Sequence, residues 1–130
     1  MSDVPPELVG AWRLVASQYR ESADEPWESP LGEGAGGQMI CSAAGALSVQ
    51  IDSPNAEEGL PRYVAYYGTV TIRGLERVGE RLRGELIYSI EGGMPLEAVH
   101  VDLPRPFEIT GDTMVLGDRT TWQNTVERIR

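Results

Sequence analysis

Apolar and polar residues alternate along most of this chain, and glycine or proline interrupts the alternation about every 8 to 12 positions. A period of two sends successive side chains to opposite faces of a strand, whereas a helix would need apolar stripes at i, i+3, i+4 and i+7, which are hard to find here. The first run, Leu8 to Tyr19, puts Trp12, Leu14 and Ala16 on one face and Arg13, Ser17 and Tyr19 on the other. A long loop from Arg20 to Gly37 follows. Gln38 to Ser42 and Ala46 to Ile51 read as a hairpin turning at Ala43-Ala44-Gly45, where glycine supplies the positive φ of a tight turn. After an acidic loop from Asp52 to Pro61, Arg62 to Arg73 forms the longest strand-like run. Both its faces carry bulk, so its inward face stays open.

Arg81 to Glu91 is cleaner. Leu82, Leu86, Tyr88 and Ile90 share one parity, Arg81, Arg83, Glu85, Ile87 and Ser89 the other, and Gly92-Gly93 is expected to end the strand. Shorter runs follow at Ala98 to Leu103, Pro106 to Ile109 and Thr113 to Leu116, the last two joined by a Gly111-Asp112 turn, and Thr120 to Ile129 closes the chain. About eight antiparallel strands with short connections must dispose of their sheet edges, and closure into a barrel removes them. The expected fold is all-β, one up-and-down antiparallel barrel of about eight strands spanning residues 1–130. An interior of that size is filled by side chains or holds one small ligand.

Length and composition narrow the partners. At 130 residues and 14.2 kDa the chain makes one domain. Its formal charge of −9, with arginine as the only strongly basic residue type, repels phosphate backbones and anionic lipid, so neither nucleic acid nor a membrane is an expected partner. The single cysteine, Cys41, makes no intramolecular disulfide. No signal-like segment or membrane-length apolar run occurs, and a cytoplasmic location is expected.

The opening Leu8-Val9-Gly10-Ala11-Trp12-Arg13-Leu14-Val15 resembles the start of the lipocalin-like domain family. Further similarity lies in Pro30-Leu31-Gly32, Gly37-Gln38-Met39-Ile40, Gly45-Ala46-Leu47-Ser48-Val49-Gln50 and Tyr63-Val64-Ala65-Tyr66-Tyr67-Gly68-Thr69-Val70. It continues more loosely through Arg105-Pro106-Phe107-Glu108-Ile109, Gly111 to Leu116, Trp122 and Glu127-Arg128. The resemblance implies that Trp12 plugs one end of the barrel, with Arg128 lying over it in a cation–π contact. Members of the family carry a Val-Thr-His-His type segment in a middle strand. Leu82 to Tyr88 has no histidine, so nothing tied to that segment carries over.

Candidate chemistry is sparse. His100 alternates with Val99 and Val101 and has no recognisable orienting partner; with one His and one Cys, no metal or cofactor site is expected. There is no nucleophile elbow, and the glycines from Gly32 to Gly37 lack the Gly-Lys-Ser/Thr of a phosphate loop and read instead as a flexible flap at the barrel mouth. Glu85, Glu91 and Glu97 surround the Tyr88 strand, but surface solvation explains them more simply. The residues expected to line a ligand cavity are Leu14, Met39, Val49, Tyr66, Leu86, Phe107 and Trp122, with Tyr88 as the catalytic candidate because a phenol orients a carbonyl while its ring packs on apolar substrate. These residues fit two functions. One is cofactor-free cyclisation or isomerisation of a bulky apolar, polyketide-like substrate in a bacterial biosynthetic pathway, driven by orientation; the other is a carrier or sensor that binds and releases such a molecule unchanged. The expected partner is that small molecule, and a homodimer is left open.

Overall fold

The computed structural model describes residues 4–94 and 102–130. Eight strands follow one another: β1 (Gly10–Tyr19), β2 (Gly36–Cys41), β3 (Ala46–Asp52), β4 (Tyr63–Val78), β5 (Arg81–Met94), β6 (Asp102–Thr110), β7 (Thr113–Leu116) and β8 (Trp122–Arg128). Each pairs antiparallel with the next, and β8 returns to β1, so the sheet is a closed up-and-down barrel. No helix occurs among the described residues, and none is therefore long and apolar enough to cross a membrane. His100, Glu97 and nearly all of the Ala98 to Leu103 run lie outside the described residues.

Three local readings are corrected. Gly92-Gly93 does not end β5, which continues to Met94; a register shift opposite Tyr67 and Gly68 absorbs the extra residue instead. Gly93 is needed there because strands pass very close: a Cβ on it would sit 2.3 Å from the Ala65 carbonyl oxygen and 2.5 Å from Tyr66 Cα, whereas one on Gly92 would meet the Tyr67 ring. In β1, the register shifts between Leu14 and Ala16. That bulge reverses the parity, so Ser17, rather than Ala16, continues the inward row of Trp12 and Leu14 and pairs with Asn124. The supposed flap is tied down as well. Asn55 Nδ2 donates to the Glu33 carbonyl at 2.8 Å, Glu57 N donates to the Pro30 carbonyl at 2.9 Å, and Gly36 and Gly37 belong to β2.

The open question of β4 is resolved by its register. Val70 pairs with Tyr88 and Ile72 with Leu86, both of which are buried, so Val64, Tyr66, Val70 and Ile72 face inward while Tyr63 and Tyr67 are exposed. Strand β6 runs through Pro104 and Pro106, which sequence alone suggested as a break. The Pro106 carbonyl accepts from Gly117 N, so this residue's polar side faces away from β5, and the four-residue β7 has already ended at Leu116. A missing N–H at Pro104 and Pro106 therefore deprives no ladder of a donor.

One end of the barrel is packed solid. Trp12 is fully buried and donates its indole N–H to the Leu8 carbonyl at 3.0 Å, and the Arg128 guanidinium carbon lies 4.3 Å from the Trp12 ring centroid. Arg128 also donates to the carbonyls of Val9, at 2.9 Å, and Glu7. Leu82, Ile109, Met114 and Val126 join this buried cluster.

Candidate functional site

The opposite end is open, because the inward side chains of β1, β3, β4, β6 and β8 diverge there around a vestibule of about 540 Å³. Its wall combines Tyr19, Ile51, Val64, Tyr66, Leu103 and Trp122 with the polar Ser17, Gln18 and Asn124 and with Arg105. Deeper in lies a second cavity of about 50 Å³, bordered by Leu14, Met39, Val49, Tyr88, Leu116 and Val126. Ile51, Tyr66, Arg105 and Asn124 border both spaces and so form the neck between them. The inner space suits a few waters, whereas the vestibule falls in the range of ~300 to 1,000 Å³ typical of small-molecule sites.

Leu14, Met39, Val49, Tyr66 and Tyr88 are thus brought together at the inner cavity, and Trp122 stands at the vestibule. Leu86 and Phe107 are not at either space: their parity is inward, but they are buried in the packed core nearer the plug. Strand alternation reports which face a residue takes and is silent about its height along the barrel axis, which is why Leu86 and Tyr88 looked equivalent.

Tyr88 is almost completely buried, and its hydroxyl donates to the Met39 Sδ at 3.2 Å. Its ring stands 6.3 Å from that of Tyr66, tilted by 48°. Burial, reinforced by Tyr66, pushes the Tyr88 phenol well above its ordinary pKa, so at neutral pH it is a donor and not a base. Burial likewise raises the Tyr66 phenol, with the Arg105 guanidinium beside it partly offsetting the rise. The thioether is a weak acceptor, so a bound carbonyl or hydroxyl competes readily for the Tyr88 proton. Cys41, buried nearer the plug, has its thiol pushed up to about 11 by desolvation and is held as the inert thiol.

Arg105 is a cavity residue that sequence reasoning did not place at the site. It pairs with the buried Leu86 in the β5–β6 register, which turns its side chain inward, and its guanidinium carbon lies 5.7 Å from the Tyr88 ring centroid and 5.4 Å from that of Trp122. The signal was present: Leu103, Arg105, Phe107 and Ile109 alternate without interruption once Pro104 and Pro106 are accepted as outward strand residues. Among the described residues, no three or more His, Cys, Asp or Glu side chains gather as a metal-holding group.

Fold and cavities define an eight-stranded antiparallel β-barrel, solid at one end and open at the other. No family model matches the chain, and no curated protein matches it. Among solved structures, a redesigned β-barrel aligns over 100% of this chain and 98% of its own, with 16% sequence identity and a TM-score of 0.43.

Proposed function

We propose that the barrel binds one small, mostly apolar organic molecule through its open end. The observation that carries this reading is the vestibule of about 540 Å³, walled by Ile51, Val64, Tyr66, Leu103 and Trp122. The lipocalin-like resemblance belongs to the same reading, and the stacking of Arg128 on Trp12 at the closed end supports it. The test is titration with the uncharged dye Nile red, followed by dye emission and by quenching of tryptophan fluorescence. Val64→Trp, which fills the vestibule, should weaken binding about 10-fold or more, roughly the loss of 1.4 kcal/mol. Equal affinity in the two proteins, or none in either, would overturn the reading.

A catalytic form of the proposal, cofactor-free cyclisation or isomerisation of a folded polyketide-like substrate, is favoured by one observation. The Tyr88 hydroxyl borders the inner cavity and, among the described residues, is hydrogen-bonded only to a thioether. A single proton donor and an orienting wall suffice for chemistry that depends on holding reacting atoms together. Tyr88→Phe is then expected to change product distribution from a linear polyene substrate while leaving Nile red affinity intact. Binding of that substrate with no product beyond the uncatalysed background would assign the protein to carrying.

A further inference from the structure

Among the described residues seven arginines reach a carboxylate: Arg73 pairs with Glu85, Arg77 with Glu7, Arg83 with Glu76, Arg81 and Arg119 with Glu108, and Arg128 and Arg130 with Asp112. Arg13 and Arg62 are exposed, and Arg20 stacks on Trp27 and donates to the Thr120 and Glu25 carbonyls, all three away from the cavities. Arg105 is the arginine that borders both the vestibule and the inner cavity, and it has no such pair. No described carboxylate side chain comes within 4.0 Å of its guanidinium. Its guanidinium donates to the carbonyl of the adjacent Pro104, at 3.2 Å, and lies beside the Tyr66 hydroxyl. Every other described residue bordering the vestibule or the inner cavity is uncharged. This half-buried cation thus has N–H donors left to face the vestibule, where a ligand can reach them. The rings of Tyr88 and Trp122 hold the guanidinium at the neck.

Resting on the small-molecule reading above, we infer that the ligand is an amphiphilic monocarboxylate, bound head first, with its carboxylate on Arg105 beside the Tyr66 hydroxyl. Three features set this class. A guanidinium matches a carboxylate fork with two parallel N–H···O bonds. One cation balances one negative charge, and a phosphate dianion would leave a second charge uncompensated in a protein of net charge −9. The inner cavity of about 50 Å³ is too small for an apolar body, so the body occupies the vestibule against Val64, Leu103 and Trp122 and points to the mouth.

The experiment compares decanoate with decanol as competitors of Nile red, on the wild type and on Arg105→Met. In the wild type, decanoate should compete about 10-fold or more better than decanol; in Arg105→Met that ratio, read within the same protein against its own Nile red affinity, should fall to about one. Arg105→Lys, which keeps the charge and loses the fork, should retain a reduced preference for decanoate and guards against misfolding of the Met variant. Nile red bound by the wild type with no preference for decanoate would overturn the carboxylate assignment and leave small-molecule binding standing. Failure of Nile red, decanoate and decanol alike would overturn both.

Discussion

Removal of the Arg128 side chain tests how the closed end is held. Its guanidinium stacks on Trp12 at 4.3 Å, donates to the carbonyls of Val9 and Glu7, and is only 18% exposed. The stacking contributes about 1 kcal/mol at a partly desolvated site. Each bond from a charged donor to a carbonyl contributes about 1.5 kcal/mol, reduced where the released carbonyl regains water. The contact to Asp112, at 3.5 Å and with that carboxylate 53% exposed, adds little. Arg128→Ala is therefore expected to cost about 2 to 3 kcal/mol, or a fall of roughly 10 °C in Tm for a domain of this size. Urea denaturation followed by tryptophan fluorescence should show a lower midpoint at unchanged slope. Arg128→Lys, which keeps a cation and cannot span both carbonyls, should lose about half as much. A double-mutant cycle with Trp12→Phe should isolate a coupling near 1 kcal/mol. A loss below about 0.5 kcal/mol for Arg128→Ala would mean that packing around Trp12, and not the arginine, closes this end.

The corner formed by Gly68, Gly92 and Gly93 predicts a contrast. Gly93→Ala, whose Cβ meets backbone at 2.3 Å and whose φ is +139°, should destabilise by about 3 kcal/mol or more, while Gly36→Ala, with nothing within 4 Å and ordinary φ, should be neutral or slightly stabilising in the same urea assay. Cys41 should react with a disulfide reagent only as fast as the barrel opens, since its thiol is buried and raised to about 11; rapid native labelling would contradict that placement. In the β7–β8 loop, Asp118 accepts from the backbone N–H groups of Thr121 and Thr120, at 2.7 Å each, of Trp122 at 3.1 Å, and from the Thr121 hydroxyl. These bonds, Thr121's foremost, hold its carboxyl down at about 2, so its contribution to stability is full above the ordinary value of 3.8 and is lost as pH falls through about 2. Asp118→Ala should therefore be less stable than wild type at neutral pH and converge with it near the acid end of the titration; a constant difference would show that ionisation is not involved. Finally, Arg105→Met should stabilise the ligand-free protein by about 1 kcal/mol, seen as a higher urea midpoint, because it replaces a half-buried cation that no described carboxylate balances; a lowered midpoint would show that the ring contacts outweigh desolvation.

Much of the fold was legible in the sequence because a strand's side-chain period and the turn preferences of glycine are local properties. The runs containing Trp12, Met39, Val49, Tyr88, Met114 and Val126 were visible as strands, and eight of them with short connections imply closure. Local reasoning failed where neighbouring strands decide the outcome. Gly92-Gly93 is a break in isolation and a close crossing beside Tyr66; Ala16 loses its inward place to a bulge that exists only against β8; Pro104 and Pro106 are tolerated because β7 is short.

The same division applies to the site. Residue order along the chain determined that the strands have apolar faces, that Tyr88 shares the parity of Leu82, Leu86 and Ile90, and that Cys41 and one histidine are too few for a multi-thiolate centre, while it left the inward face of the strand carrying Tyr66 open. Only the tertiary structure decided height along the axis. That third coordinate places Leu86 and Phe107 in solid core, puts Tyr88 at the inner cavity, and sets Arg105 at the neck, away from every described carboxylate side chain. A strand's alternation specifies two faces, but the shear and bulges of a closed sheet set which inward residues meet, and neither is encoded within one strand.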